Sequence, residues 1–172
     1  MKLKTLIDYS KRWVYDELYT PNEAIEMILP YIPENVKTIR ECTAIVNSNI
    51  TLILKNKGYK VITTHIENWE DFLEYEPKEY DIIITNPPYS LKDKFIKRAY
   101  ELWKPFMFLL PLTALEGKNR SSLYNKNWWI QLLIPNKRFN FIKEKKWAWF
   151  QTSWFCWKIN LSADLNFITL SN

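Results

Sequence analysis

The sequence contains few residues of several types, and each scarcity excludes a kind of site. Its 172 residues include two glycines, Gly58 and Gly117, so no segment can form a glycine-rich loop. The single histidine, His65, leaves no cluster of zinc ligands, and we expect no metal site. The two cysteines, Cys42 and Cys156, lie in apolar runs and are expected to be core thiols in a reducing compartment.

Long apolar runs are also missing from the sequence. No uninterrupted stretch is long enough to span a bilayer, and the first residues carry no apolar signal region. We therefore expect a cytoplasmic protein with no membrane partner.

The composition is that of a folded, basic domain. A hydrophobic content of 47% and an aromatic content of 16% exclude a disordered chain. The length suits a single domain over 1–172, with 1–16 as an arm that packs over it. A formal net charge of +5 and a pI near 9.1 favour a polyanionic partner.

The most informative stretch of the chain lies at 80–89. Residues 80–85 form a short β-branched, apolar run, the pattern of a strand buried on both faces. Pro87 and Pro88 then stop the strand and hold Asn86 and Tyr89 in a rigid, extended turn. Helical periodicity resumes at Leu91. A strand, a stiff polar turn and a helix together build a site at the carboxyl end of a sheet.

In that context, Asn86-Pro87-Pro88-Tyr89 resembles motif IV of S-adenosylmethionine (SAM)-dependent amino-methyltransferases. The family includes DNA adenine-N6 enzymes, some RNA enzymes and glutamine-N5 protein enzymes. The resemblance implies that the Asn86 amide oxygen and the Pro87 carbonyl accept the hydrogens of the target amine, that Pro88 fixes the turn, and that Tyr89 stacks on an extruded base. The alternative is a proline-rich turn without chemistry.

The segment Tyr19-Thr20-Pro21 resembles motif X of the same family, which implies contacts with the methionine end of SAM. As local structure, it is a helix start: Thr20 is a good N-cap, Pro21 suits the first turn and Glu23 completes a capping box. We expect that helix to run to about Leu29.

The next strand, predicted at 36–42, ends where the family has motif I, an acidic residue followed by a glycine-rich loop. Glu41 fits the acidic position, and Thr43 and Ala44 fit the small residues after it. In place of glycines, 45–49 carries side chains. The resemblance therefore implies SAM as the cofactor, with binding that is weak or lost.

The remaining predicted cofactor contacts follow a second strand at 59–64. His65 stands where the family has an acidic residue for the ribose hydroxyls, and a neutral polar residue at a strand end is the alternative. Asp71 and Phe72 stand at the place of motif III, whose carboxylate accepts from the adenine amino group. The alternative for Asp71 is a surface helix that also carries Glu70 and Glu74.

Basic residues interleaved with aromatics fill the later part of the chain, a composition expected for phosphate contacts and base stacking. Solvated loops are the alternative. The predicted nucleic-acid contacts are Lys118, Arg120, Lys137, Arg138, Lys143 and Lys145. DNA is the expected partner, and RNA and a protein target are the alternatives; the oligomeric state is not predicted.

The order of predicted elements gives an α/β fold. Strands alternate with helices through the first two-thirds of the chain and then cluster, which predicts a mostly parallel, doubly wound sheet with an antiparallel C-terminal edge. The resemblance implies a Rossmann-like class I methyltransferase fold with the γ order of motifs. The first functional hypothesis is a small adenine-N6 DNA methyltransferase with little sequence specificity, of a kind that a phage would encode. The second is a catalytically inactive binding protein of the same fold, such as an inhibitor of a host nuclease.

Overall fold

The computed structural model describes residues 20–44, 48–127, 129–141 and 150–170. The predicted N-terminal arm, Tyr19, Lys143 and Lys145 lie outside these ranges.

The centre of the fold is one seven-stranded sheet with the order β2-β1-β3-β4-β6-β5-β7. Strand β6 runs antiparallel to both of its neighbours, and all other pairings in the described ranges are parallel. The predicted mostly parallel sheet with antiparallel pairing near its C-terminal edge is therefore confirmed. The strands are β1 (Thr38–Glu41), β2 (Lys60–Thr63), β3 (Ile82–Thr85), β4 (Phe106–Pro111), β5 (Gln131–Pro135), β6 (Thr152–Trp157) and β7 (Leu165–Ile168).

Helices cover both faces of this sheet, because the side chains of its central strands are apolar in both directions. Ile82 and Ile84 of β3 face one apolar cluster, and Ile83 faces the other. The first cluster includes side chains of α1 and α2, and the second includes side chains of α3 and α4. The helices are α1 (Asn22–Glu26), α2 (Asn49–Asn56), α3 (Lys92–Leu102) and α4 (Lys118–Lys126).

Two predicted boundaries were wrong. Helix α1 begins after Pro21 without a side-chain cap, so Thr20 is not its N-cap, and α1 ends at Glu26 before a 3-10 helix at Leu29–Tyr31. The apolar run at 128–134 also predicts a strand, but β5 begins only at Gln131, because Trp129 has a left-handed φ of 77° that breaks the extended backbone.

The two cysteines are free and buried, as the sequence predicts. Burial raises the pKa of Cys42 to about 12, and it raises the pKa of Cys156 as well, so both are inert thiols. Among the described residues, no three His, Cys, Asp or Glu side chains lie close enough to hold a metal ion. In the same ranges, no helix is both long and apolar enough to cross a membrane.

Candidate functional site

The turn Asn86–Tyr89 lies at the carboxyl edge of the sheet, between the ends of β1 and β4. All four residues of β3 are buried, and Pro87 and Pro88 after them are buried as well. A 3-10 helix at Tyr89–Leu91 leads directly into α3. The chain therefore changes from strand to helix within a few residues, on a backbone that the two prolines make rigid.

The Asn86 side chain is held by a residue from the start of the described chain. Its amide nitrogen donates to the hydroxyl of Thr20 at 3.1 Å. Thr20 is buried, and its carbonyl accepts a 2.9 Å hydrogen bond from the Asn49 side chain at the start of α2. Because the amide nitrogen is directed at Thr20, the plane of the Asn86 amide is fixed. The hydroxyl that the sequence predicts to cap α1 instead accepts from the Asn86 side chain.

The main chain of Asn86 is tied to the end of β1. The Thr43 hydroxyl lies 2.6 Å from the Thr85 hydroxyl and donates to the Asn86 carbonyl at 3.3 Å. The segment after β1 is thus docked on the end of β3. The sequence predicts Thr43 as a cofactor contact, and the structure makes it a support for the turn.

Tyr89 belongs to an aromatic trio with Phe141 and Phe150. The Tyr89 ring centroid lies 6.5 Å from that of Phe141 and 5.5 Å from that of Phe150, both edge to face. Phe150 is 36% exposed, so the group opens to solvent beside the Asn86 turn. The sequence does not predict Phe141 or Phe150 as site residues, although each lies in an aromatic-rich segment. Their contact with Tyr89 depends on the fold, which brings together residues that are distant in the chain.

Glu41 is turned into the protein. It is 1% exposed, and its carboxylate accepts a 2.5 Å hydrogen bond from the Thr51 hydroxyl in the first turns of α2. Burial raises the pKa of Glu41 to about 7, while hydrogen bonds from Thr51 and Ser48 act in the opposite direction. The carboxyl group links β1 to α2.

The remaining predicted cofactor contacts are also engaged within the protein. His65 is 3% exposed, and its Nδ1 accepts from the Glu67 amide at 3.3 Å, which caps a short 3-10 helix. Phe72 is a core residue rather than a ligand contact: its ring stacks on Phe95 at 4.8 Å. Asp71 is half-buried in a turn, where its Oδ1 accepts from the Leu73 amide at 3.0 Å, and the alternative of a surface helix is wrong.

Several of these predicted cofactor contacts are buried and have partners within the protein. The Glu41 carboxylate, the His65 ring and the Phe72 ring are all inside the protein with internal partners. Thr43 and Ala44 are half-buried, and Thr43 is bonded to the end of β3. The polar groups of Glu41, His65 and Thr43 therefore make hydrogen bonds within the fold.

The predicted phosphate contacts differ in exposure. Lys118 and Arg138 are exposed near the carboxyl edge of the sheet. Arg120 is half-buried: its guanidinium pairs with Asp93 at 2.7 Å and donates to the Glu116 carbonyl at 2.6 Å. The ammonium of Lys137 lies 2.6 Å from the Glu23 carboxylate.

Known structures provide a comparison for this arrangement, whereas no protein-family model and no curated protein matches the sequence. One similar structure is the type I restriction-modification system methyltransferase subunit from Streptococcus thermophilus, with a TM-score of 0.53 at 15% identity. Another is a modification subunit of a putative type I restriction enzyme from Vibrio vulnificus YJ016, with a TM-score of 0.50 at 10% identity. Each alignment covers 89% of this chain and 47% of the other, so the chain spans just under half the length of these subunits. The chain therefore has a methyltransferase-like α/β fold.

Proposed function

We propose that this protein binds DNA and holds the amine-bearing edge of an extruded adenine in the turn Asn86–Tyr89. The activity that we assign to such a site is adenine-N6 methylation with little sequence specificity, with SAM as the methyl donor and loss of one amine proton. The observation that carries the proposal is the hydrogen bond from the Asn86 amide nitrogen to Thr20, because it orients the amide before any substrate arrives.

An exocyclic amine conjugated to a ring is a poor nucleophile, since its lone pair is delocalised. The Asn86 amide oxygen and the Pro87 carbonyl would accept the two amine hydrogens and localise the lone pair on nitrogen. Such oriented acceptors lower a barrier because they need no reorganisation during the reaction. This role needs a fixed amide plane, which the contact with Thr20 supplies.

The aromatic trio of Tyr89, Phe141 and Phe150 supports a flat, unstacked base as the group that carries this amine. Enzymes that modify a base take it out of the duplex and stack it between aromatic side chains. DNA is further supported by the formal net charge of +5 and by the two similar structures, which are methyltransferase and modification subunits of restriction systems. All described elements belong to one sheet domain, so no separate base-reading module is included among them.

The second candidate is a catalytically inactive binding protein of the same fold. It is favoured by the inward-facing Glu41 carboxylate, which is bonded to Thr51 and so is not available to a methyl donor. In this candidate exposed aromatic and basic residues carry the binding, Asn86 is not needed for it, and no group is transferred.

Expression in a methylation-deficient host, followed by digestion of the DNA to nucleosides and mass spectrometry, separates the two candidates. The first predicts N6-methyladenine above the level of the empty vector. If the purified protein binds DNA while no methylated base accumulates, the second candidate replaces the first. If it neither methylates nor binds DNA at low salt, both nucleic-acid proposals are wrong and a protein target takes their place.

Replacing Tyr89 by alanine should weaken DNA binding by roughly 1–3 kcal/mol, the usual effect of losing a base-stacking ring. Tyr89→Phe keeps the ring and should bind like wild type. Tyr31→Ala is the matched control, because Tyr31 is a half-buried tyrosine that precedes the amino end of β1. Fluorescence anisotropy with a labelled duplex measures the DNA affinity of all three variants. Equal losses of affinity in Tyr89→Ala and Tyr31→Ala would argue against stacking of a base on Tyr89.

The exposed basic residues give a salt-dependent expectation. The double variant Lys118→Glu/Arg138→Glu should bind DNA of any sequence more weakly than the wild type does. The plot of log affinity against log salt should also become shallower, by about 0.9 for each duplex phosphate that the variant no longer neutralises. Lys57→Glu is the control, since Lys57 is exposed at the end of α2. If the double variant has the same slope of log affinity against log salt as the wild type, these two residues do not contact DNA phosphates.

A further inference from the structure

We propose that Thr20, Thr43 and Asn49 form an internal clasp that orients Asn86 without a cofactor, in the part of the fold where the predicted SAM contacts lie. The inference deepens the proposed function and rests on it for the role of Asn86. These three are positioning residues: they act on the amine site through Asn86.

The clasp holds Asn86 at two points. The Thr20 hydroxyl accepts from the side-chain amide at 3.1 Å, and the Thr43 hydroxyl donates to the main-chain carbonyl at 3.3 Å. The Thr85 hydroxyl, 2.6 Å from that of Thr43, extends the second contact into β3. Side chain and backbone of the same residue are therefore fixed from different segments of the chain.

The clasp is anchored to the core through α2. Asn49 begins that helix and donates to the Thr20 carbonyl at 2.9 Å. Two residues further on, Thr51 donates to the buried Glu41 carboxylate at the end of β1. Hydrogen bonds thus join residue 20, the segment after β1, the start of α2 and the end of β3 around Asn86, and the bond between Thr51 and Glu41 holds α2 on β1.

Every hydrogen bond described in this network joins groups of the protein itself. The hydroxyl groups of Thr20 and Thr43 therefore hold Asn86 without a bound cofactor. Base capture by this protein should therefore be independent of SAM.

The direct readout is the NMR signal of the Asn86 side-chain NH2, identified by its loss in Asn86→Asp. Thr20→Val removes the acceptor and should shift this signal and speed its hydrogen exchange by about tenfold or more, since the hydrogen bond that protects it is gone. Thr43→Val should shift the Asn86 backbone signals. Thr20→Ser and Thr43→Ser keep the hydroxyl groups, so the Asn86 side-chain and backbone signals should be those of the wild type in these variants. Thr63→Val is the control, because Thr63 is an exposed β2 residue.

The second readout uses wild-type protein, so it does not depend on any variant folding. DNA affinity should be the same with and without SAM at about 1 mM, because the clasp orients Asn86 before SAM is present. DNA affinity that rises with SAM would overturn the clasp.

The two proposals fail in different ways. If the Asn86 NMR signals are unchanged in Thr20→Val and Thr43→Val, the clasp is wrong even where DNA binding is normal. If the signals respond as expected but DNA is not bound, the clasp stands and the proposed function fails.

Discussion

Asn86→Ala should reduce adenine-N6 methylation by about a hundredfold or more, because the variant loses the oxygen that orients the target amine in the transition state. Losing a single preorganised acceptor of this kind typically has an effect of that size. Folding should change little. Asn86 lies in a turn whose backbone Pro87 and Pro88 still fix, and the Thr43 hydrogen bond to its main-chain carbonyl does not need the side chain.

The measurement is the N6-methyladenine content of host DNA at matched protein levels, with melting temperature as the check on folding. Asn125→Ala is the control, since it removes an exposed amide from the surface of α4. Methylation that persists in Asn86→Ala would show that the turn is not the catalytic site. Where wild type gives no methylation, the same pair of variants is compared in DNA binding. The inactive binding protein of the second candidate would keep its affinity in Asn86→Ala.

Glu41→Gln should stabilise the protein at neutral and alkaline pH, by up to about 3 kcal/mol. The folded-state pKa of Glu41 is raised from 4.5 to about 7, chiefly by burial, and each pKa unit corresponds to about 1.4 kcal/mol. The contribution of Glu41 to the free energy of unfolding is fully present below pH 4.5, where Glu41 is protonated in both the folded and the unfolded state. It is lost as pH rises to about 7, because the unfolded state releases its proton more easily than the folded state does.

Glutamine stays neutral at every pH and keeps an oxygen that accepts from Thr51, so the variant should lack this loss. The free energy of unfolding from urea titrations should therefore agree between the two proteins near pH 4.5 and diverge up to about pH 7, with the variant the more stable. Glu34→Gln is the control, since Glu34 is exposed and should follow the wild-type curve. Divergence in the opposite sense, or parallel curves, would mean that Glu41 is charged in the folded protein over this whole range.

Strand β3, the turn after it and the helix that follows could be predicted from the sequence alone. These features are local: a run of β-branched residues fits a strand buried on both faces, and two adjacent prolines stop it whatever surrounds them. The alternation of strands and helices likewise predicted the doubly wound sheet, since the period of the apolar pattern is a property of each segment alone.

The division of polar side chains between the site and the fold depended on tertiary contacts. Thr20 is as good a cap as it is a partner for Asn86, and contact across the sheet edge selected the second role. Glu41 is the last residue of a strand, as a ligand-binding carboxylate could be, but in the packing of α2 against β1 it faces inward to Thr51. Phe141 and Phe150 reach Tyr89 because β3, β5 and β6 end or begin at the same edge of the sheet. Sequence periodicity fixes the face on which a residue lies, whereas its partner depends on contacts between segments distant in the chain.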